Sequence, residues 1–157
     1  MKLFMRKTPT QDIVRIELAD LIASLSTVLP GHVAMTQRPD PMHPEDVLLE
    51  WRPTSGEASI LDVGWEASGI DIQIGWSTGY FDLFGPDTTQ RASDDRLEEL
   101  TELAEAIALG RVTTFSQTAK KMRTETTVFG RRSGPHVFRS HERSKGDPDT
   151  CRFFTPW

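Results

Sequence analysis

Cysteine is nearly missing from this chain. Cys151 is the single one among 157 residues, which excludes an internal disulfide and a zinc site built from several thiolates. Long apolar runs are missing too. Nothing approaches the roughly 18 consecutive apolar residues of a membrane span, and residues 1–10 hold no apolar stretch that would serve as a secretory signal, so a cytoplasmic protein with no membrane attachment is expected. Catalytic motifs are equally scarce. None of the four histidines, His32, His43, His136 and His141, belongs to an HExxH arrangement. The glycine-rich stretch 130–134 lacks both the spacing of a phosphate loop and a helix after it. A metal site assembled from His136, His141 and Cys151 with Asp147 or Asp149 would have a spacing that fits no recognised ligand pattern. A Cys151 nucleophile would need His136 or His141 beside it in space. No catalytic residue, metal or cofactor is predicted, and the chain is not expected to be an enzyme unless His136, His141 and Cys151 converge in one cleft.

What is present describes an ordinary globular protein. With 37% hydrophobic and 26% charged residues, the chain is long enough to bury a sizeable core and short enough for one domain over 1–157. Its net charge of −5 conceals an asymmetry: residues 1–110 carry 8 Lys/Arg against 19 Asp/Glu, net −11, and residues 111–157 carry 10 against 4, net +6. Either the basic segment folds back on the acidic one, which is the favoured reading, or the two halves attract different partners. The cluster Lys120, Lys121, Arg123, Arg131 and Arg132 has few aromatic neighbours in sequence. Together with a pI of 5.4, that argues against nucleic acid as a partner.

The first helix is predicted from a Thr8 N-cap with Pro9 at the first helical position and Gln11 three residues after the cap. Val14, Leu18, Leu21, Ile22, Leu25, Val28 and Leu29 then follow helical spacing, and Pro30-Gly31 ends the run. A Pro-rich loop follows, with a short strand at 32–35. From Asp46 to Phe84 four runs alternate apolar and polar residues. Val47, Leu49 and Trp51, then Leu61, Val63 and Trp65, then Ile70, Ile72, Ile74 and Trp76, then Phe81 and Leu83 define one apolar face of an antiparallel meander. A Ser68-Gly69 turn would set Trp65 opposite Ile72, and a Thr78-Gly79 turn would set Trp76 opposite Phe81. The connection after Trp51 needs an odd number of residues to keep Leu49 and Leu61 on one side. Trp65 and Trp76 are predicted core residues.

A second helix is expected from a Ser93 cap to a stop at Gly110, burying Leu97, Leu100, Leu103, Ala104 and Ile107 and leaving Glu98, Glu99, Glu102 and Glu105 to solvent. Beyond it, 112–117 and 124–129 read as strands around a basic turn at 119–123. Residues 136–139 and 151–155 read as a further hairpin, or 134–149 as a mobile loop, within a basic C-terminal segment 131–157. The fold class is therefore α+β: an antiparallel β-meander with both helices packed on one face.

The opposite face of the meander is the candidate partner-binding surface. Glu50, Asp62, Glu66, Asp71 and Asp82 alternate onto it with Leu48, Ile60, Tyr80 and Phe84, unless the basic segment covers it. The order of a capped helix, an aromatic-rich meander with GWSTGYFDLFG and an acidic helix ending in AEAIALGRV resembles small bacterial immunity proteins of polymorphic toxin systems. The resemblance spans about Trp65 to Val112. It implies a protein without catalysis of its own that binds a cognate toxin, and carries over no residue-level motif. The acidic face read from the alternation, with Glu50, Asp62, Glu66, Asp71, Tyr80 and Asp82 as candidate partner-binding residues, would suit a basic toxin domain. The basic C-terminal segment departs from a uniformly acidic inhibitor. A rival reading is a secretion-chaperone-like homodimer that holds an effector segment; the sequence does not fix the oligomeric state.

Overall fold

The computed structural model describes residues 12–13, 16–65, 69–74, 77–82, 84–85 and 90–157, with side chains described over 16–65 and 94–157. It has the expected α+β class with antiparallel sheets. In chain order the elements are β1 (Asp12–Ile13), α1 (Leu18–Val28), β2 (Met35–Pro39), β3 (Val47–Trp51), β4 (Leu61–Trp65), β5 (Gly69–Ile74) and β6 (Ser77–Asp82). Then come β7 (Phe84–Gly85), α2 (Gln90–Ala108), β8 (Val112–Ala119), β9 (Met122–Arg131), β10 (Gly134–Arg143) and β11 (Thr150–Phe153). Strands β2 to β6 form a five-stranded meander in sequence order, β1 pairs with β7, and the C-terminal strands form a second sheet in the order β10-β9-β8-β11. Among the described residues, no helix is long and apolar enough to cross a membrane.

The first helix begins later than its sequence pattern suggests. Asp12 and Ile13 are strand, Glu17 is extended, and the helix opens at Leu18; Thr8, Pro9 and Gln11 lie outside the described residues. The β-branched residues Ile13 and Ile16 favour an extended chain over a helical turn. Its end is as expected, with Leu29 extended before Pro30-Gly31. The second helix begins one turn earlier, at Gln90, so Ser93 lies inside it. At its C-terminus Gly110 takes φ +67°, Gly110 N–H bonds to Ile107 O and Arg111 N–H to Ala106 O, the paired bonds of a Schellman stop.

The meander places its predicted apolar residues on one side. Leu49, Trp51, Leu61 and Val63 are buried, while Leu48, Glu50 and Asp62 between them are only partly so. Leu49 pairs with Val63 and Trp51 with Leu61 across an odd connection, as the faces require. The hairpins beyond are displaced from their predicted register. Trp65 pairs with Ile70 rather than Ile72, and Ile70 rather than Trp76 pairs with Phe81, so the register is displaced by two residues in the first hairpin and by six in the second. Both displacements are even, so the apolar set keeps its side. Trp76 and Leu83 lie outside the described residues. A fifth strand, β2, joins at the edge, starting where the expected 32–35 strand would have ended; Pro39 is tolerated at its edge position.

Both helices contribute to one core with this face. Leu21 and Leu25 of α1, Leu61 and Val63 of β4, and Leu100, Ala104 and Ile107 of α2 surround one small gap. Trp65 is partly buried against this cluster and donates its indole N–H to Ile16 O at 2.9 Å. The second sheet joins the same cluster through Val112, Phe129 and Phe154. Residues 136–139 and 151–155 do not pair with each other as a hairpin. They lie in or beside β10 and β11, at opposite edges of the second sheet, because β10 continues the β9 hairpin and β11 returns to pair with β8. Beyond β11 the chain crosses to the meander side: Thr155 N–H bonds to Glu57 O, Trp157 N–H to Ala108 O, and the Trp157 indole N–H to Ser59 O.

Candidate functional site

The register of the meander decides which predicted site residues meet. Glu50 and Asp62 are directly paired across β3 and β4. Arg38 pairs with Leu48, one row away, so its guanidinium reaches Glu50 diagonally, with Nε to Oε2 at 3.0 Å and Nη2 to Oε1 at 3.1 Å. Arg52, two residues beyond Glu50, donates from Nη2 to Glu50 Oε1 at 3.2 Å and from Nη1 to Asp62 Oδ1. Two carboxylates and two guanidiniums form one lattice. The acids are its inner members, with side chains 17% and 13% exposed against 44% and 47% for the arginines. The Arg38 fork holds the Glu50 carboxyl below the usual carboxylate range, and Glu50 in turn raises Arg38.

The remaining predicted residues stand as follows. Asp71 pairs with Gly64 and with Tyr80 in the row next to Glu50 and Asp62, and Asp82 pairs with Gly69 in the row after that. Glu66 lies outside the described residues. The part of the face that is described therefore presents paired charges of both signs, not free acid.

The basic segment meets the acidic one at α2. Arg132 Nε donates to Glu105 at 2.7 Å, and Arg131 lies 3.6 Å from Glu99. Glu102, expected in solvent, is buried: the β9–β10 turn brings Ser133 over it, and the Ser133 hydroxyl and N–H both donate to its carboxylate. The hydroxyl bond first, and then the N–H and nearby arginines, hold Glu102 below the ordinary carboxylate range. Asp95, Arg96, Glu98, Glu99, Glu102, Arg131 and Ser133 line an open cleft of about 640 Å³ there.

His136, His141 and Cys151 do not converge. His136 lies in edge contact with Phe129 and Phe138, and burial, followed by the charge of Arg131, lowers its pKa. His141 faces the other way, bonded through Nδ1 to Thr124 Oγ1 at 2.9 Å, and Cys151 is exposed on β11 at the far edge of the sheet. Among the described residues, sequence reasoning missed the grouping of His43, Glu45 and Asp46, whose donor atoms lie within 4.8 Å of one another on the β2–β3 loop. The signal was a His-Pro-Glu-Asp run after Asp40, whose carboxylate accepts from Met42 and His43 N–H and curls the loop. All three are on an exposed or half-exposed surface.

No protein-family model, no curated protein and no solved structure matches this chain.

Proposed function

We propose that this chain is a non-catalytic binding protein of the immunity type, which neutralises a cognate bacterial toxin by direct association through the polar face of its meander. The Arg38–Glu50–Arg52–Asp62 lattice carries the reading. Ion pairs on a surface contribute only about 0–1 kcal/mol to folding. Charges of alternating sign held in fixed geometry are far more effective at selecting a partner and steering its approach. The lattice continues in register into the row of Asp71 and Tyr80 and then that of Asp82. The partner that fits has carboxylates for the outward edges of Arg38 and Arg52 and basic groups for positions 71 and 82, a mixed surface in place of a uniformly basic one.

The test is association kinetics with the toxin-bearing product of the adjacent reading frame, at low and high salt. Wild-type association slows as salt rises, and the double variant Asp71→Asn/Asp82→Asn slows it several-fold while melting stays close to wild type. Arg52→Ala slows it as well, together with a lower melting temperature from losing the bridge between Glu50 and Asp62. Unchanged association in both variants would move the interface off this face.

A further inference from the structure

We propose that the outward face of the β8–β11 sheet is a platform for single-stranded nucleic acid, separate from the meander face. Pairing fixes which residues share it. On the side opposite Phe129 and Phe138, β10 contributes Arg139, His141 and Arg143, while β8 and β11 contribute Phe115 and Phe153. No aspartate or glutamate occupies any strand position on this face: Glu125 and Glu142 alternate to the other side, and Asp147 and Asp149 lie in the 144–149 connection. A four-stranded face with cations and no carboxylate is complementary to a polyanion.

The sheet also supplies the aromatics that the linear sequence separates from the basic cluster. Phe153 pairs with Thr113, two residues from Phe115, so the two rings are diagonal neighbours on adjacent strands. Phe153 is 74% exposed, which is unusual for a phenylalanine unless its face meets something, and Phe115 is partly exposed. Exposed rings on a sheet stack unpaired bases regardless of sequence, while a duplex hides its base faces.

The cations divide into two sets. Arg123, Arg131 and Arg132 are engaged by Glu142, Asp147, Glu99 and Glu105. Among the described residues no ion pair engages Arg139, Arg143, Lys120 or Lys121. Lys120 and Lys121 form the β8–β9 turn with φ of 50° and 65°, where asparagine and glycine are the favoured pair. Lysines there place two charges beside Arg143 at the end of the face in spite of an unfavourable backbone conformation. From the Val137 row to Arg143 the platform runs about 20 Å at ~3.4 Å per residue, enough for a few extended nucleotides.

The experiment is fluorescence anisotropy of fluorescein-labelled oligo(dT) and oligo(U) of about twelve nucleotides, titrated with the full chain from about 50 to 200 mM salt. Binding is expected, with a slope of log K against log salt of about −3, since each of four phosphate contacts contributes about −0.7. Phe153→Ala weakens it about tenfold with melting unchanged. Arg139→Ala reduces the slope by about 0.7, and Arg139→Lys restores it. Lack of binding to either oligonucleotide at low salt overturns the proposal and returns the face to an acidic protein partner. Binding that Phe153→Ala and Phe115→Ala both leave unchanged, or that duplex DNA matches, overturns it as well. The toxin-binding reading rests on the other sheet and is untouched by either result.

Discussion

Glu50 and Asp62 stand directly opposite each other on adjacent antiparallel strands, a position in which two like charges destabilise a sheet. Arg38 and Arg52 make the pairing tolerable by occupying the positions diagonal to it, and Arg52 bridges both acids.

Replacing Arg38 by alanine is expected to raise the Glu50 pKa, followed by carboxyl carbon shifts in an NMR titration. The fold depresses this pKa through the Arg38 bond, so its contribution to stability is present above the ordinary carboxylate range and is lost as pH falls through the folded value. Arg38→Ala should therefore be less stable than wild type at neutral pH, and the gap should narrow below about pH 4. A gap independent of pH would mean that Arg38 acts through packing alone.

The β8–β9 turn is a site for easy stabilisation. Lys120→Asn with Lys121→Gly suits two positive φ values without altering any strand residue, and should add about 1 kcal/mol in chemical denaturation. Loss of stability would show that the lysine side chains hold the turn.

Gly110 and Gly134 offer an internal comparison. Both have positive φ, but a Cβ at Gly110 would sit 2.7 to 2.9 Å from backbone atoms of residues 154–156, whereas one at Gly134 meets nothing within 4 Å. Gly134→Ala should cost about 1 kcal/mol, from conformation alone, and Gly110→Ala distinctly more. Equal melting temperatures for the two variants would contradict the close approach of the C-terminal segment.

Two tryptophans separate burial from hydrogen bonding. Trp51, 3% exposed, should lose about 3–5 kcal/mol on truncation to alanine. Trp65→Phe keeps most of the ring contact but removes the donor to Ile16 O, and about 1 kcal/mol is expected. Urea denaturation monitored by far-UV dichroism measures both.

The sequence made the faces legible and the registers illegible, for one physical reason. Strand side chains alternate with period two, so an even displacement leaves every apolar residue on its proper side and no pattern reports it. Gly69 and Gly79 pointed to turns, yet they sit within β5 and β6, paired with Asp82 and Ile72. The pairing of β11 with β8 joins Cys151 to Phe115 across the intervening hairpin, and local pattern holds no trace of such a contact. The fate of the glutamates was hidden similarly: Glu102 lies on the polar stripe of its helix and is buried only because Ser133 arrives from a distant turn. Of the candidate site, the placement of Glu50 and Asp62 on one face follows from the alternation, while their direct opposition is a matter of register and the Arg38 fork depends on the pairing of β2 with β3.

The clasp made by residues 154–157 also sets a clock. Trp157 reaches Ser59 across a sequence separation of 98 residues, and buried Phe154 fills its place in the core from the same segment. At a synthesis rate of about 5–20 residues per second, the 57–59 loop emerges some 5 to 20 s before the residues that cover it. During that interval the nascent meander has an unsealed flank beside α2, the stage at which a chaperone or an aggregating neighbour has access.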